Sequence, residues 1–168
     1  LFTAEARPPH LAAIAPGHYF ADVYRDVAFP GGIFNHSFAA LWTYVARPAQ
    51  DYAGAFPEAF SGDATCAAHQ AHNVTGAHRG PFVQALQHRY DDALIRDRSP
   101  LYRAHEIEVP VYSVLSWQDE QLGSRNTRFL EELERLDVPY RAVVGNGDHG
   151  MYRDAAQMRE LDRFLEAH

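Results

Sequence analysis

Val109-Pro110-Val111-Tyr112-Ser113-Val114-Leu115-Ser116-Trp117-Gln118-Asp119 sets the architecture. Residues 109–115 form a short, almost continuously apolar run rich in β-branched side chains. Such a run suits a strand covered on both faces of a parallel sheet, because a half-exposed strand alternates apolar with polar. It ends in a polar cluster that carries a carboxylate. Downstream, Phe129, Leu130, Leu133 and Leu136 fall on one face of a helix that Ser124 or Asn126 can cap. Glu131 and Arg135 are spaced to pair on its wet side. A second apolar run, Tyr140-Arg141-Ala142-Val143-Val144, is closed by Gly145, and Met158, Leu161 and Leu165 mark a final helix. Upstream lies a third run, Leu11-Ala12-Ala13-Ile14-Ala15, ended by Pro16-Gly17. Before it, residues 1–6 read as the end of a helix stopped by Pro8 and Pro9. Strand, helix, strand, helix with short connections predicts an α/β fold of parallel strands with right-handed crossovers.

Residues 18–99 break that rhythm. Two helical stretches, 34–46 and 81–95, are joined by loops rich in Gly, Ala and His. Phe38, Leu41, Trp42 and Val45 share one face, and Phe82, Leu86 and Tyr90 another. An insertion of this kind between two strands of a parallel sheet is expected to be a helical cap or lid. The predicted organisation is therefore a core of residues 1–17 and 100–168 interrupted by a cap at 18–99.

At 168 residues the chain has room for one sizeable core and not comfortably for two. A formal charge of −7 argues against nucleic acid or an anionic membrane surface as a partner. No apolar run approaches the roughly 18 residues of a membrane span. The single cysteine, Cys66, cannot close an internal disulfide, so the redox compartment stays open. Every basic residue is Arg, which fits a coding bias. Leu1 is not a natural start residue, so the compartment is not readable, with a cytoplasmic setting preferred to a secreted one.

Functional side chains in a parallel sheet gather on the loops leaving the carboxyl ends of strands. Asp119 stands there in "LSWQDEQ" and His149 in "GNGDHGMY". The interval of 30 residues is about one helix plus one strand, so their loops are expected to adjoin. A carboxylate that accepts the imidazole Nδ1–H fixes its tautomer and stabilises the imidazolium formed when a nucleophile is deprotonated. In α/β-hydrolases the chain order is nucleophile, acid, base, and acid then base is the order here. No G-x-S-x-G occurs, and none of Ser37, Ser61, Ser99, Ser113, Ser116 and Ser124 sits at a strand-to-helix elbow. The nucleophile is therefore expected upstream.

Other readings compete. An Asp after a strand is often a turn former. Asp148 is adjacent to His149 and poorly placed to orient it, whereas Glu120 competes with Asp119 by proximity. Cys66, His69 and His72, with His78 nearby, make a zinc site conceivable, but they drift around a helix and no fourth ligand is fixed. The glycines at 145, 147 and 150 lack the Lys-Ser/Thr of a phosphate loop. Asn35-His36-Ser37 and Asn73-Val74-Thr75 match the glycosylation pattern, which matters only in a secreted eukaryotic protein.

Four segments together resemble the CocE/NonD group, the cocaine-esterase and X-Pro dipeptidyl-peptidase-like hydrolases. "RPPHLAAIAP" (7–16) is similar to the strand after the nucleophile helix, and "ADVYRDVAFPGG" (21–32) with Trp42 to the approach to a helical cap. "RDRSPLYRAHEIEVPVYSVLSWQDEQ" (96–121) resembles the return from the cap, with its W-x-D, and "VVGNGDHG" (143–150) the segment with the catalytic His. The resemblance implies the C-terminal part of an α/β-hydrolase fold with a cap insertion. It further implies Asp119 as triad acid, His149 as base and Trp42 as a wall of the substrate pocket. A serine in a G-x-S-x-x-G-like elbow is expected roughly ten residues before Leu1.

The expected function is hydrolysis of an ester, amide or short X-Pro peptide by a longer parent protein, with no metal or organic cofactor. The chain alone is expected to be inactive, to lack the N-terminal half of its domain, and to aggregate, dimerise or bind that half through an open strand edge. The alternative is a non-catalytic α/β binding module or a degenerate hydrolase relic, in which Asp119 and His149 are ordinary turn residues.

Overall fold

The computed structural model describes residues 1–41, 62–65, 68–69, 86–150 and 154–168. Two compact units are present, one of Leu1–Ile33 with Tyr90–His168 and the other of Phe34–Arg89. Residues 18–33 and 90–99 thus group with the first unit. In the second, Asn35 Oδ1 accepts the Phe38 main-chain N–H at 3.2 Å, at the start of the short helix Phe38–Leu41.

The first unit is built on two parallel strands, β1 (Val111–Ser116) and β2 (Tyr140–Gly145). Val111 lies opposite Tyr140, and the register holds to Ser116 opposite Gly145. All six residues of β1 are buried, as expected for an apolar run covered on both faces. The segment after Leu11 also runs parallel to β1, bridging at Ile14–Val111 and Gly17–Val114. Its bonds are Ile14 N to Pro110 O at 3.0 Å, Tyr112 N to Ile14 O at 2.9 Å, Val114 N to Pro16 O at 3.2 Å and His18 N to Val114 O at 2.9 Å. The rung between them is missing because Pro16 has no N–H to offer Tyr112 O. Only that one rung is lost, and the pairing continues through Pro16 O to His18, beyond the apolar run. β1 is the middle of three parallel lines.

The helix Arg128–Arg135 crosses from β1 to β2. Its Phe129 and Leu133 are fully buried against Val111, Ile107, Ala104, Ala21 and Ala4, while Leu130 and Leu136 flank this core half-buried. Each of the two buried side chains contributes about 1.5–3 kcal/mol of apolar burial. The other face of the sheet carries Tyr112 and Val114 under Phe164 of the final helix, Ala155–Glu166, with Leu161 beside it.

Two local expectations are corrected. Neither Ser124 nor Asn126 caps the crossover helix. Asn126 is buried, and its Nδ2 donates to Tyr19 O at 2.8 Å, because a neighbouring carbonyl needed a donor more than an exposed helix start did. Arg135 pairs with Glu132 at i,i+3 (Nε to Oε2, 2.9 Å), not with Glu131. The final helix forms where Met158, Leu161 and Leu165 mark it, and its buried residue is Phe164, which meets Tyr112 at 5.4 Å between centroids, with Leu161 half-buried and Met158 and Leu165 exposed. No helix among the described residues is long and apolar enough to cross a membrane.

One ionic cluster ties the segment that leaves the first unit to the segment that returns. Asp22 caps the π-helical turn Val23–Ala28 by accepting the Arg25 main-chain N–H. Arg25 Nη1 reaches Asp22 Oδ2 at 2.7 Å, Asp91 Oδ2 at 2.9 Å and Tyr102 OH at 2.9 Å. Asp26 Oδ2 accepts the N–H groups of Ala21 and Asp22 at 2.8 and 2.9 Å. Burial still pushes the Asp26 carboxyl up, against the lowering effect of those bonds.

Candidate active site

Three chain segments leave the same end of the sheet, and each contributes one side chain to a single cluster. After β1 the chain turns sharply, and Gly123, at φ +66°, returns its N–H to Asp119 O at 2.9 Å. Asp119 Oδ1 accepts the main-chain N–H groups of Gln121 and Leu122, both at 2.9 Å. One oxygen thus forms the turn, an Asx arrangement open to Asp at such a position. The other, Oδ2, points at two imidazoles: His149 Nδ1 at 2.9 Å and His18 Nδ1 at 3.0 Å.

The loop after β2 is fixed by its own polar groups. Ser116 Oγ donates to Asp148 O at 2.9 Å, and Gly150 N donates to Asp148 Oδ1 at 2.8 Å. The main-chain N–H of His149 donates to Glu120 Oε2 at 3.1 Å. Both acids that compete with Asp119 in the sequence therefore hold main chain, and neither is bonded to the His149 ring. The Glu120 carboxyl is held below its usual range by its own main-chain N–H and then by that of His149.

His18 follows the strand-like segment at the position equivalent to the other two. It is a functional candidate that the sequence reading missed, having been placed in the insertion. The signal was present, since His18 is the first side-chain-bearing residue after Pro16-Gly17, as Asp119 and His149 follow their own strands. Its main chain is left-handed, φ +47°, a region that non-glycine residues seldom occupy and in which His is over-represented. Tyr19, next to it, is pinned by Asn126 Nδ2 on its carbonyl, by Ser113 Oγ at 3.1 Å from its hydroxyl, and by Phe129 against its ring.

The cluster is dry on one side only. The side chains of Asp119 and His18 are 0% and 1% exposed, and that of His149 is 29% exposed. The imidazoles meet edge to face, 4.9 Å between centroids. An ionised carboxylate only accepts, so each Nδ1 carries the proton it donates, and Nε2 of neutral His149 is left as an acceptor. Burial pushes the Asp119 carboxyl up, but the donors on it, Leu122 N–H first, then His149, His18 and Gln121 N–H, outweigh burial and hold it below its usual range.

His18, Asp119 and His149 each offer one possible metal-ligand atom, all within 4.8 Å of one another. Bonds of 2.0–2.1 Å to a tetrahedral zinc set its ligands about 3.3 Å apart. The observed N···O distances of 2.9 and 3.0 Å are instead those of N–H···O hydrogen bonds. The arrangement suits proton handling better than metal binding. Trp42, Cys66, His72 and His78 lie outside the described residues, and His69 is exposed.

The sequence model of the X-Pro dipeptidyl-peptidase (S15) family matches residues 1–151. Among solved structures the chain is similar to SACOL2612, a CocE/NonD family hydrolase from Staphylococcus aureus, at 20% identity and a TM-score of 0.68. That likeness covers 98% of this chain and 26% of the other, so the chain spans about a quarter of that protein's length and shares the fold of that part. No curated protein matches.

Proposed function

This chain belongs to the X-Pro dipeptidyl-peptidase (S15) family, and from that premise we propose that it carries the acid and base of a serine-type acyl hydrolase. Asp119 orients His149 through Nδ1, and Nε2 of His149 takes the proton of a serine supplied by sequence upstream of Leu1. The serine attacks an ester or amide carbonyl. His149 then returns the proton to the leaving group, and water releases the acyl-enzyme by the same relay. The substrate class is a small ester or amide, or a short peptide with proline at its second position.

The observation that carries this reading is the 2.9 Å contact between a fully buried carboxylate and a partly exposed imidazole at neighbouring strand ends. A turn-forming Asp and an unrelated loop His have no reason to meet there. The test is a fluorophosphonate probe on the longest reading frame that contains this chain. Labelling of an upstream serine, lost in His149→Ala and reduced roughly ten-thousand-fold in Asp119→Asn, is expected. An unlabelled, folded wild type would mean a non-catalytic module.

A further inference from the structure

We propose that His18 is a positioning residue that fixes Asp119 Oδ2 in the direction His149 needs, an inference that rests on the hydrolase reading above. The carboxylate has about four acceptor sites, and all four are used. Gln121 N–H and Leu122 N–H fill Oδ1, and His149 and His18 fill Oδ2. The two main-chain donors belong to the turn that Asp119 itself makes, and they hold the other oxygen. His149 is the group being oriented and cannot also be the fixed reference. That leaves His18, which comes from a different strand end, 101 residues away in sequence.

His18 is built to be immobile. Its N–H is bonded to Val114 O in the middle of the sheet, and its neighbour Tyr19 is held at carbonyl, hydroxyl and ring. Its imidazole is buried, and its backbone is held in the left-handed region. A strained backbone together with a buried polar ring persists only where surrounding contacts over-determine it, and such positions cluster at functional sites. With Oδ2 anchored from the protein side, the carboxylate keeps its plane when His149 becomes an imidazolium and when it hands its proton on. The same donor draws on the charge of Oδ2. Asp119 therefore divides its acceptor strength between two rings and stays ionised in a dry site.

The discriminating variants are His18→Asn, whose Nδ2–H occupies the place of Nδ1–H, and His18→Leu, which fills the space without a donor. In the full-length protein, His18→Leu is expected to lower kcat about 10- to 100-fold with KM within about twofold, since a displaced orienting group has that order of effect. His18→Asn is expected to restore most of it. The low-field imidazole N–H proton resonances give a second readout, independent of turnover. The wild type should show one from His18 and one from His149. His18→Asn should keep the His149 signal in place, and His18→Leu should shift or broaden it. If His18→Leu does not fold, His18→Gln, with its amide one carbon too far out, replaces it. Wild-type turnover and an unmoved His149 signal in His18→Leu would overturn the proposal, as would equal impairment of the folded Asn and Leu variants. A wild type that the fluorophosphonate leaves unlabelled sinks the hydrolase reading instead, and the His149 resonance then decides on His18 alone.

Discussion

Replacing Asp119 by Asn keeps the shape and removes the charge, and the four bonds on the carboxylate set the expected cost. The Asn carbonyl can still accept from Gln121 and Leu122, so the turn survives. At the Oδ2 position an NH2 then faces two Nδ1–H groups, donor against donor. Hydrogen bonds to a charged acceptor are worth about 1.5–3 kcal/mol each, so losing both imidazole bonds removes about 3–6 kcal/mol. Relief of the buried charge and a tautomer change in the partly exposed His149 return part of it, leaving a net loss of about 2–4 kcal/mol at pH 7. The pH dependence carries its own sign. The folded-state pKa of Asp119 is depressed. Its contribution is therefore fully present above the unfolded value of about 3.9 and is lost as pH falls through the lower folded value. Burial pushes Asp26 and Glu5 up, so they act in the opposite sense, but they are common to both proteins and cancel in the difference. Urea unfolding of wild type and Asp119→Asn across an acid pH series should show a gap that is present at about pH 5 and closes below about 4. A gap under about 1 kcal/mol at neutral pH, or one that widens as pH falls from about 5 to below about 4, refutes the reasoning.

Two further predictions concern the frame around the site. Arg25→Met leaves the buried Asp22 carboxylate and Asp91 without their shared cation and should cost about 1–3 kcal/mol, discounted for the half-exposed guanidinium. Arg163→Met, on the exposed pair with Glu160, should stay within about 0.5 kcal/mol, and equal losses at the two sites in thermal unfolding would contradict this. The Tyr112 hydroxyl is buried with no hydrogen-bond partner among the described residues, so Tyr112→Phe should be neutral or stabilising by up to about 1 kcal/mol. Destabilisation beyond about 1 kcal/mol would show that the hydroxyl has a partner.

Residues 109–115 were legible because burial on both faces leaves a plain mark in β1, while β2, exposed or half-buried along its length, was legible from the run 140–144 closed by Gly145. Asp119 and His149 were legible for a related reason, as polar residues just beyond those runs. What escaped depended on tertiary partners. Pro16-Gly17 reads as a stop, but proline deletes a single rung, and pairing resumes at His18, whose side chain then enters the site. Asn126 reads as a helix cap until Tyr19 O claims it. The spacing of Glu131 and Arg135 suits a pair, yet Glu132 is nearer. For His18 and Asn126 the choice lies between groups of nearly equal local energy, and contacts about 100 residues away decide it, whereas the Arg135 pair is a local choice between i,i+3 and i,i+4.

The turn-former and acid readings of Asp119 compete only while the side chain is treated as a single point. A carboxylate has two oxygens, and here they are divided: Oδ1 closes the turn on Gln121 and Leu122, and Oδ2 serves the histidines. The division is causal. The turn takes up Oδ1 and leaves the second oxygen to the histidines, while its two main-chain donors help keep the group ionised despite burial. A residue that did only the second task would need another device to hold it, and one that did only the first would have no need of a fully buried Oδ2. The ordinary role of an Asp after a strand is thus what makes the proposed chemical role available to it.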